Sequence, residues 1–197
     1  CGVGKPFDTE VVRAMMLLRA NAISKGFSGV VIETIECLLN MLNAGVHPIV
    51  RSKGSVGSSG DLCPLAHMVL PMMGEGEAEY KGEILSGKEA MKKAGVSTII
   101  LKAKEGLALI NGTQAMMGNA VLAVYDAEKL LKQADIIASL TVDALVGIID
   151  AFDERIHLIR PHKGQIDSAE NLRKLLKDSK RITRQGEKRM QDAYSLR

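Results

Sequence analysis

One long stretch of helical periodicity limits what this chain can fold into. From about Asn111 or Thr113 to Ile149, apolar residues recur at three- and four-residue steps, with Lys, Glu and Asp between them. The stripe consists of Met117, Val121, Val124, Leu131 and Ile136. A run of roughly 35 residues is longer than an ordinary globular helix and is typical of the central helix of a bundle. The predicted fold class is therefore all-α, mainly helical.

The composition agrees with a helical protein whose core is aliphatic. Of the 197 residues, 46% are hydrophobic but only 3% are aromatic, and the chain has 10 Met and no Trp. That apolar share excludes disorder, and the small aromatic share disfavours a β-sandwich. The net charge of +3 gives no footprint for binding nucleic acid or a membrane surface, so neither is predicted as a partner.

Shorter elements are predicted on both sides of the long helix. Helices are expected over residues 8–24, 28–43, 61–70, 87–94 and 166–176, with an apolar segment at 101–110. Residues 77–85 resemble a hairpin around Lys81-Gly82, the only sheet that the pattern suggests, and 47–60 are predicted to be a loop. The longest apolar run, Ile136 to Ile149, is interrupted by Asp143 and is too short to span a bilayer.

The cysteine pattern indicates the redox compartment in which the protein is expected. Cys1, Cys37 and Cys63 form no CxxC pair, which is typical of a protein without disulfides or zinc in a reducing compartment, so we expect the cytoplasm. No histidine pair has metal-ligand spacing, and no metal is predicted. The chain begins with Cys rather than Met, so we expect it to be part of a longer protein.

The segment GSVGSSGDL at residues 54–62 has three possible interpretations. The first is a flexible connection before a capped helix. The second is a phosphate-binding loop, which is disfavoured because no Gly-Lys-Ser/Thr ends the segment and Asp61 puts a negative charge at the helix start. The third is cyclisation of the backbone, because the Gly60 nitrogen can approach the Ser58 carbonyl carbon where Gly has no Cβ. Ring closure and elimination of the Ser59 hydroxyl would then leave a methylidene-imidazolone electrophile, with Asp61 placed for proton transfer.

Four segments resemble, in order, the signatures of the ammonia-lyases that depend on methylidene-imidazolone (MIO). These are GSVGSSGDLCPLAHM at 54–68, KEGLALINGT at 104–113, RIHLIRPHKGQ at 155–165 and QDAYSLR at 191–197. The family comprises histidine, phenylalanine and tyrosine ammonia-lyases and related aminomutases. Within it, the form RPHKGQ is most similar to histidine ammonia-lyase. The resemblance implies the ammonia-lyase and aspartase-like helical fold.

The resemblance also implies which residues of the MIO loop do the chemistry. The MIO group would form autocatalytically from Ser58, Ser59 and Gly60, with Asp61 supporting its formation. Ser58 stands where the family usually has Ala, but its side chain takes no part in ring closure. Asn111 would contact the MIO group and the substrate amine. From the residues alone, Asn111-Gly112-Thr113 is interpreted as a helix start capped by Thr113, or as a chance glycosylation sequon.

Three residues at the end of the chain match the family's substrate-binding trio. Gln191 would supply amide hydrogen bonds, Tyr194 would exchange protons with the reacting centre, and Arg197 would bind the substrate carboxylate through its guanidinium fork. From the residues alone, the same segment is an ordinary solvated helix end.

The function implied by the resemblance is non-oxidative deamination of L-histidine to urocanate and ammonia. Phenylalanine or tyrosine ammonia-lyase, an aminomutase, or an inactive helical fragment with an uncyclised loop remain alternatives. The family implies a small amino acid as substrate and a homotetramer. We expect residues 1–110 to be the MIO-loop region and 111–197 to begin the central bundle. Because the family's catalytic base and a C-terminal carboxylate lie outside these residues, we expect the isolated chain to be inactive.

Overall fold

The computed structural model describes residues 2–189 and is mainly helical, which confirms the predicted fold class. The helices are α1 (Thr9–Ile23), α2 (Ile32–Ala44), α3 (Leu62–Val69), α4 (Gly87–Lys93), α5 (Glu105–Ile110), α6 (Gln114–Ala144), α7 (Glu154–Leu158) and α8 (Lys163–Leu176). Short 3-10 turns cover Leu70–Met73 and Ile149–Phe152. The strands are β1 (Val3–Pro6), β2 (Val46–Pro48), β3 (Arg51–Lys53), β4 (Glu77–Tyr80) and β5 (Glu83–Ser86).

The chain divides into two compact units between Val124 and Tyr125. Helix α6 continues across this boundary, so it contributes residues to both units. The first unit contains α1 to α5 and all five strands, and the second contains α7 and α8. The predicted functional division after residue 110 stays a prediction.

The core of the first unit is aliphatic and rich in methionine, as the composition predicted. Helices α1 and α2 contact each other, and Met15 and Met16 of α1 are fully buried, as is Met41 of α2. Unbranched methionine side chains fill irregular spaces between helices, so such a core needs few aromatic residues. This core supports α3 and α5, the two helices that carry the first two signature segments.

The sheets are more extensive than the single hairpin that the sequence predicted. The hairpin of β4 and β5 is present, but β2 pairs with β4 to give a three-stranded antiparallel sheet in the order β2-β4-β5. Strands β1 and β3 form a second antiparallel pair. The prediction of a continuous loop over 47–60 was therefore wrong at its start. Strands of three residues are too short for an alternating pattern to be visible in the sequence.

The long helix is 31 residues and ends at Ala144, earlier than the predicted Ile149. After it the backbone turns through Val146, whose φ of 54° is left-handed. The Gly147 carbonyl then accepts a hydrogen bond from the Thr183 amide at 2.8 Å, and Ile149 donates one back to Thr183 at 3.0 Å. Pairing with a segment 36 residues away replaces the last helical turn, and the local apolar pattern cannot indicate it.

By length and mean hydropathy, the helical stretch Glu105–Ala144 is long and apolar enough to cross a bilayer. The stretch is longer than the apolar run Ile136 to Ile149, because it includes residues 105–135, in which charged residues separate the apolar ones. The core helix of a soluble bundle passes the same test, so the finding carries no membrane assignment.

Candidate active site

The Ser-Ser-Gly segment forms a tight, exposed turn directly before α3. Ser59 has a φ of 58° and Gly60 a φ of 89°, so two consecutive residues adopt the left-handed conformation. For a serine this conformation is strained, and such strain is typically retained at functional sites. Both Ser58 and Ser59 are exposed. The turn is therefore exposed, and it holds Ser59 in a strained backbone conformation.

Gly60 packs against Gly112 so closely that no side chain would fit between them. A Cβ added to Gly60 would overlap the carbonyl oxygen of Gly112, and its other near neighbours are also Gly112 backbone atoms. The next amide, that of Asp61, donates a hydrogen bond to the Gly112 carbonyl at 2.7 Å. The structure thus brings the first signature segment into direct backbone contact with the second, which contains Asn111.

The Asp61 carboxylate joins three parts of this site. It is 2% exposed, and its Oδ1 accepts a hydrogen bond from the Ser55 hydroxyl at 2.7 Å. Its Oδ2 accepts one from the Met116 amide, also at 2.7 Å, in the first turn of α6. Although Asp61 directly precedes α3, its side chain makes no capping bond to that helix. It caps α6 instead, and its role in proton transfer stays a prediction.

Asn111 lies in the short connection between α5 and α6, beside the turn. Asn111 is exposed. Its backbone N–H donates a hydrogen bond to the Leu107 carbonyl at 3.0 Å, at the end of α5. Helix α6 begins at Gln114, immediately after Thr113, as the helix-start interpretation predicted. The connection is therefore both a helix start and a neighbour of the Ser59-Gly60 turn.

Glu105 anchors the start of α5, and sequence reasoning did not single it out. It is 1% exposed, and its Oε1 accepts from the Val31 amide at 2.9 Å and the Thr34 hydroxyl at 2.7 Å. Its Oε2 accepts from the Lys102 amide at 2.7 Å. Burial acts to raise the pKa of Glu105, but these hydrogen bonds outweigh it and lower that pKa. The carboxylate therefore stays ionised and ties α5 to the start of α2.

Arg19 of α1 is the second buried charge that sequence reasoning missed. It is 5% exposed and donates to the Asn111 carbonyl at 3.2 Å and to the Gln114 side-chain oxygen at 2.7 Å. The signal was present in the sequence, since Arg19 follows Met15 by four residues on the face of α1 that is otherwise apolar.

The third signature segment lies in the second unit. Arg155 donates from Nε and Nη2 to the two Asp153 oxygens, at 2.9 and 2.8 Å, and the hydrogen bonds hold the pKa of Asp153 well below its usual range. The Gln165 amide nitrogen and His157 Nδ1 are 2.9 Å apart. These contacts shape the segment locally and assign it no chemical step.

The fourth segment lies outside the described residues, so the roles predicted for Gln191, Tyr194 and Arg197 stay predictions. Within residues 2–189, no group of three or more His, Cys, Asp or Glu side chains could hold a metal ion.

The whole chain, residues 1–197, matches the family described as aromatic amino acid lyase. The chain belongs to this family. It is 92% identical over 197 residues to histidine ammonia-lyase 2 of Fusobacterium nucleatum, covering all of this chain and 39% of that relative.

Solved structures of an aminomutase and of an ammonia-lyase resemble this chain closely. Phenylalanine aminomutase of Pantoea agglomerans gives a TM-score of 0.91 at 36% identity, covering 100% of this chain and 41% of that one. Histidine ammonia-lyase of Trypanosoma cruzi gives a TM-score of 0.85 at 39% identity, covering 90% of this chain and 35% of that one. The chain therefore spans about two fifths of the length of the proteins it matches.

Proposed function

We propose that the full-length protein containing this chain is a histidine ammonia-lyase, which converts L-histidine to urocanate and ammonia. The observation that carries the proposal is the backbone contact between the Ser59-Gly60 turn and the connection that holds Asn111. The 92% identity to a histidine ammonia-lyase favours histidine as the substrate. We further propose a homotetramer in the cytoplasm.

The Ser58-Ser59-Gly60 turn fits the formation of the MIO group. Ring closure joins the Gly60 nitrogen to the Ser58 carbonyl carbon with loss of one water, and elimination of the Ser59 hydroxyl releases a second. Ser59 and Gly60 both have left-handed φ angles, so the backbone in which that bond would form is strained. The packing of Gly60 on Gly112 requires glycine at this position. Once formed, the group supplies an electrophile for the substrate amine.

The chain's own residues bind and orient the substrate around this turn. The Asn111 side chain, exposed beside Gly60, is proposed to hold the substrate amine by hydrogen bonding. Arg197 binds the carboxylate in a bidentate manner, and Gln191 adds amide hydrogen bonds. Tyr194 exchanges a proton with the reacting centre. Loss of the amine together with a proton from the β-carbon balances histidine against urocanate and ammonia.

The experiment uses a full-length chain, made by placing this sequence in the matching segment of the Fusobacterium relative. Ser59→Ala removes the hydroxyl that must be eliminated, so we expect urocanate formation to fall by several orders of magnitude. Ser52→Ala is the matched control, because Ser52 is exposed in β3 and lies outside the turn. Near-normal turnover by Ser59→Ala would contradict the proposal.

An aminomutase is a second candidate, because the Pantoea structure is a phenylalanine aminomutase. The two activities differ in their products, since a mutase yields a β-amino acid and a lyase yields an unsaturated acid with free ammonia. Comparing kcat/KM for histidine, phenylalanine and tyrosine, with both products assayed, separates the candidates. We expect histidine to be preferred and urocanate to accumulate with one equivalent of ammonia.

A further inference from the structure

Arg19 brings a buried positive charge from α1 to the carbonyl end of α5. One guanidinium nitrogen, Nη2, donates to the Ala108 carbonyl and, at 3.2 Å, to the Asn111 carbonyl. The other outer nitrogen, Nη1, donates to the Gln114 side-chain oxygen at 2.7 Å. The acceptors thus lie on both sides of the connection between α5 and α6, with Asn111 among them.

The guanidinium also lies directly against the backbone of this connection. A Cβ added to Gly112 would overlap Arg19 Nη1, so the glycine is what permits the approach. The last carbonyls of a helix have no partner within that helix and carry partial negative charge. A planar cation with several donors can satisfy them and fix their direction together.

The third guanidinium nitrogen of Arg19, Nε, is buried and makes no hydrogen bond to the described residues. Burial also lowers the pKa of Arg19, which reflects the cost of desolvating its charge. The buried Nε–H group of Arg19 therefore stays unpaired, while the two outer nitrogens donate to the connection between α5 and α6.

We infer that Arg19 is a positioning residue, which holds the backbone of Asn111 so that the Asn111 side chain faces the Ser59-Gly60 turn. The inference rests on the proposed function, because it takes Asn111 to contact the substrate amine. The hydrogen bonds of Arg19 go to the Asn111 and Ala108 carbonyls and to the Gln114 side chain, so its influence on the turn passes through these groups.

Helix α1 offers a matched control for this inference. Arg13 also donates from Nη1 to a carbonyl at a helix end, that of Leu42 in α2, at 3.0 Å. The same nitrogen lies 3.1 Å from His47 Nε2. Arg13→Met thus removes an equivalent type of bond from the same helix, but away from Asn111.

The first measurement is steady-state kinetics with histidine in the full-length chain. We expect Arg19→Met to lower kcat by about ten- to a hundredfold, with a smaller change in KM. The reason is that a displaced Asn111 side-chain amide impairs the orientation of the bound substrate more than its affinity. Arg19→Lys should restore part of kcat, since an ammonium group can reach one carbonyl but not all three acceptors. Arg13→Met should change kcat by less than about threefold.

Two further measurements separate positioning from simple loss of stability. In Arg19→Met, hydrogen exchange of the amides at 111–116 should be faster at a temperature where the protein is folded, and in Arg13→Met it should be unchanged. In a double-mutant cycle, Asn111→Ala should abolish most of the effect of Arg19→Met on kcat. Intact mass gives the dehydrated fraction of each variant, so that kcat is expressed per dehydrated site.

The possible outcomes are distinguishable. If Arg19→Met lowers only the melting temperature, or if its effect adds to that of Asn111→Ala, the positioning role is wrong. If Arg19→Met does not fold, Arg19→Lys decides, and a kcat equal to the unsubstituted value overturns the inference. A full-length chain that makes no urocanate would contradict the proposed function, and the exchange measurement would still test whether Arg19 holds the connection.

Discussion

At the scale of single residues, Asp61 has a structural role that its position before α3 does not suggest. Its two carboxylate oxygens accept from Ser55, before the turn, and from Met116, in the first turn of α6. A negative charge at a helix start is favourable because it faces unpaired amides and the positive end of the helix dipole. Asp61 thereby ties the Ser59-Gly60 turn to the helix that follows Asn111.

We expect Asp61→Asn to lower the free energy of unfolding of the full-length chain by about 1–3 kcal/mol. The amide keeps one acceptor oxygen, but its nitrogen faces either the Ser55 hydroxyl or the Met116 amide, and the charge at the helix start is lost. Urea denaturation measures the change. Asp178→Asn, at an exposed position, is the control and should change stability by less than about 0.5 kcal/mol. Equal stability of the two variants would show that the carboxylate is not needed here.

At the scale of elements, α5 is held at both ends by buried charges. Glu105 ties its start to α2, and Arg19 of α1 binds the carbonyls at its end. A helix of six residues has little stability of its own, so these contacts determine where it lies. The second signature segment, KEGLALINGT, therefore includes both Glu105, which anchors α5, and Asn111, which directly follows α5.

We expect Glu105→Gln to destabilise the full-length chain by about 1–3 kcal/mol at neutral pH. The new amide nitrogen must face one of the three donors that the carboxylate now satisfies. Because folding lowers the pKa of Glu105, the ionised carboxylate stabilises the folded state above the ordinary glutamate pKa. That contribution is lost as the pH falls through the lowered value.

Unfolding curves at several pH values test this prediction. The stability difference between Glu105→Gln and the unsubstituted protein should be full at neutral pH and should shrink in acid. Glu89→Gln is the control, since Glu89 is exposed and its carboxylate accepts a hydrogen bond from the Ser86 hydroxyl at the start of α4. A difference that grows as the pH falls would contradict the assigned direction of the Glu105 pKa.

At the scale of the whole molecule, the described residues 2–189 include exposed apolar surface. On α6, Leu130, Leu131, Ile137 and Leu140 are each more than 60% exposed. The chain spans 39% of the length of its Fusobacterium relative. Exposed apolar surface of this kind is typical of an interaction surface, which supports the proposed homotetramer.

We expect the MIO group to form in the full-length chain and to remain largely unformed in the isolated 197-residue chain. Among the described residues, Ser55 to Ser59 are exposed, and only Gly60 and Asp61 are pressed against Gly112. Ring closure needs the whole turn compressed by its surroundings. Loss of two waters reduces the mass by about 36 Da, so intact-mass analysis measures the outcome. A fully dehydrated isolated chain would show that these residues compress the turn unaided.

The sequence by itself determined the helical class, the long helix and the family. The period of α6 and the aliphatic composition are local properties, and the four signatures are continuous segments, so no tertiary information was needed to identify them. The same holds for the hairpin of β4 and β5, because its turn residues lie between its own strands.

Only the tertiary structure decided what joins these segments. Neither the pairing of β2 with β4 nor the contact of Gly60 with Gly112 leaves a local pattern, because each joins residues 30 or more positions apart. The charges of Arg19 and Asp61 could be seen in the sequence, but their acceptors and donors could not. A buried charge is stable only where folding supplies partners, and those partners come from other elements. For that reason the geometry around Asn111 was decided by the fold.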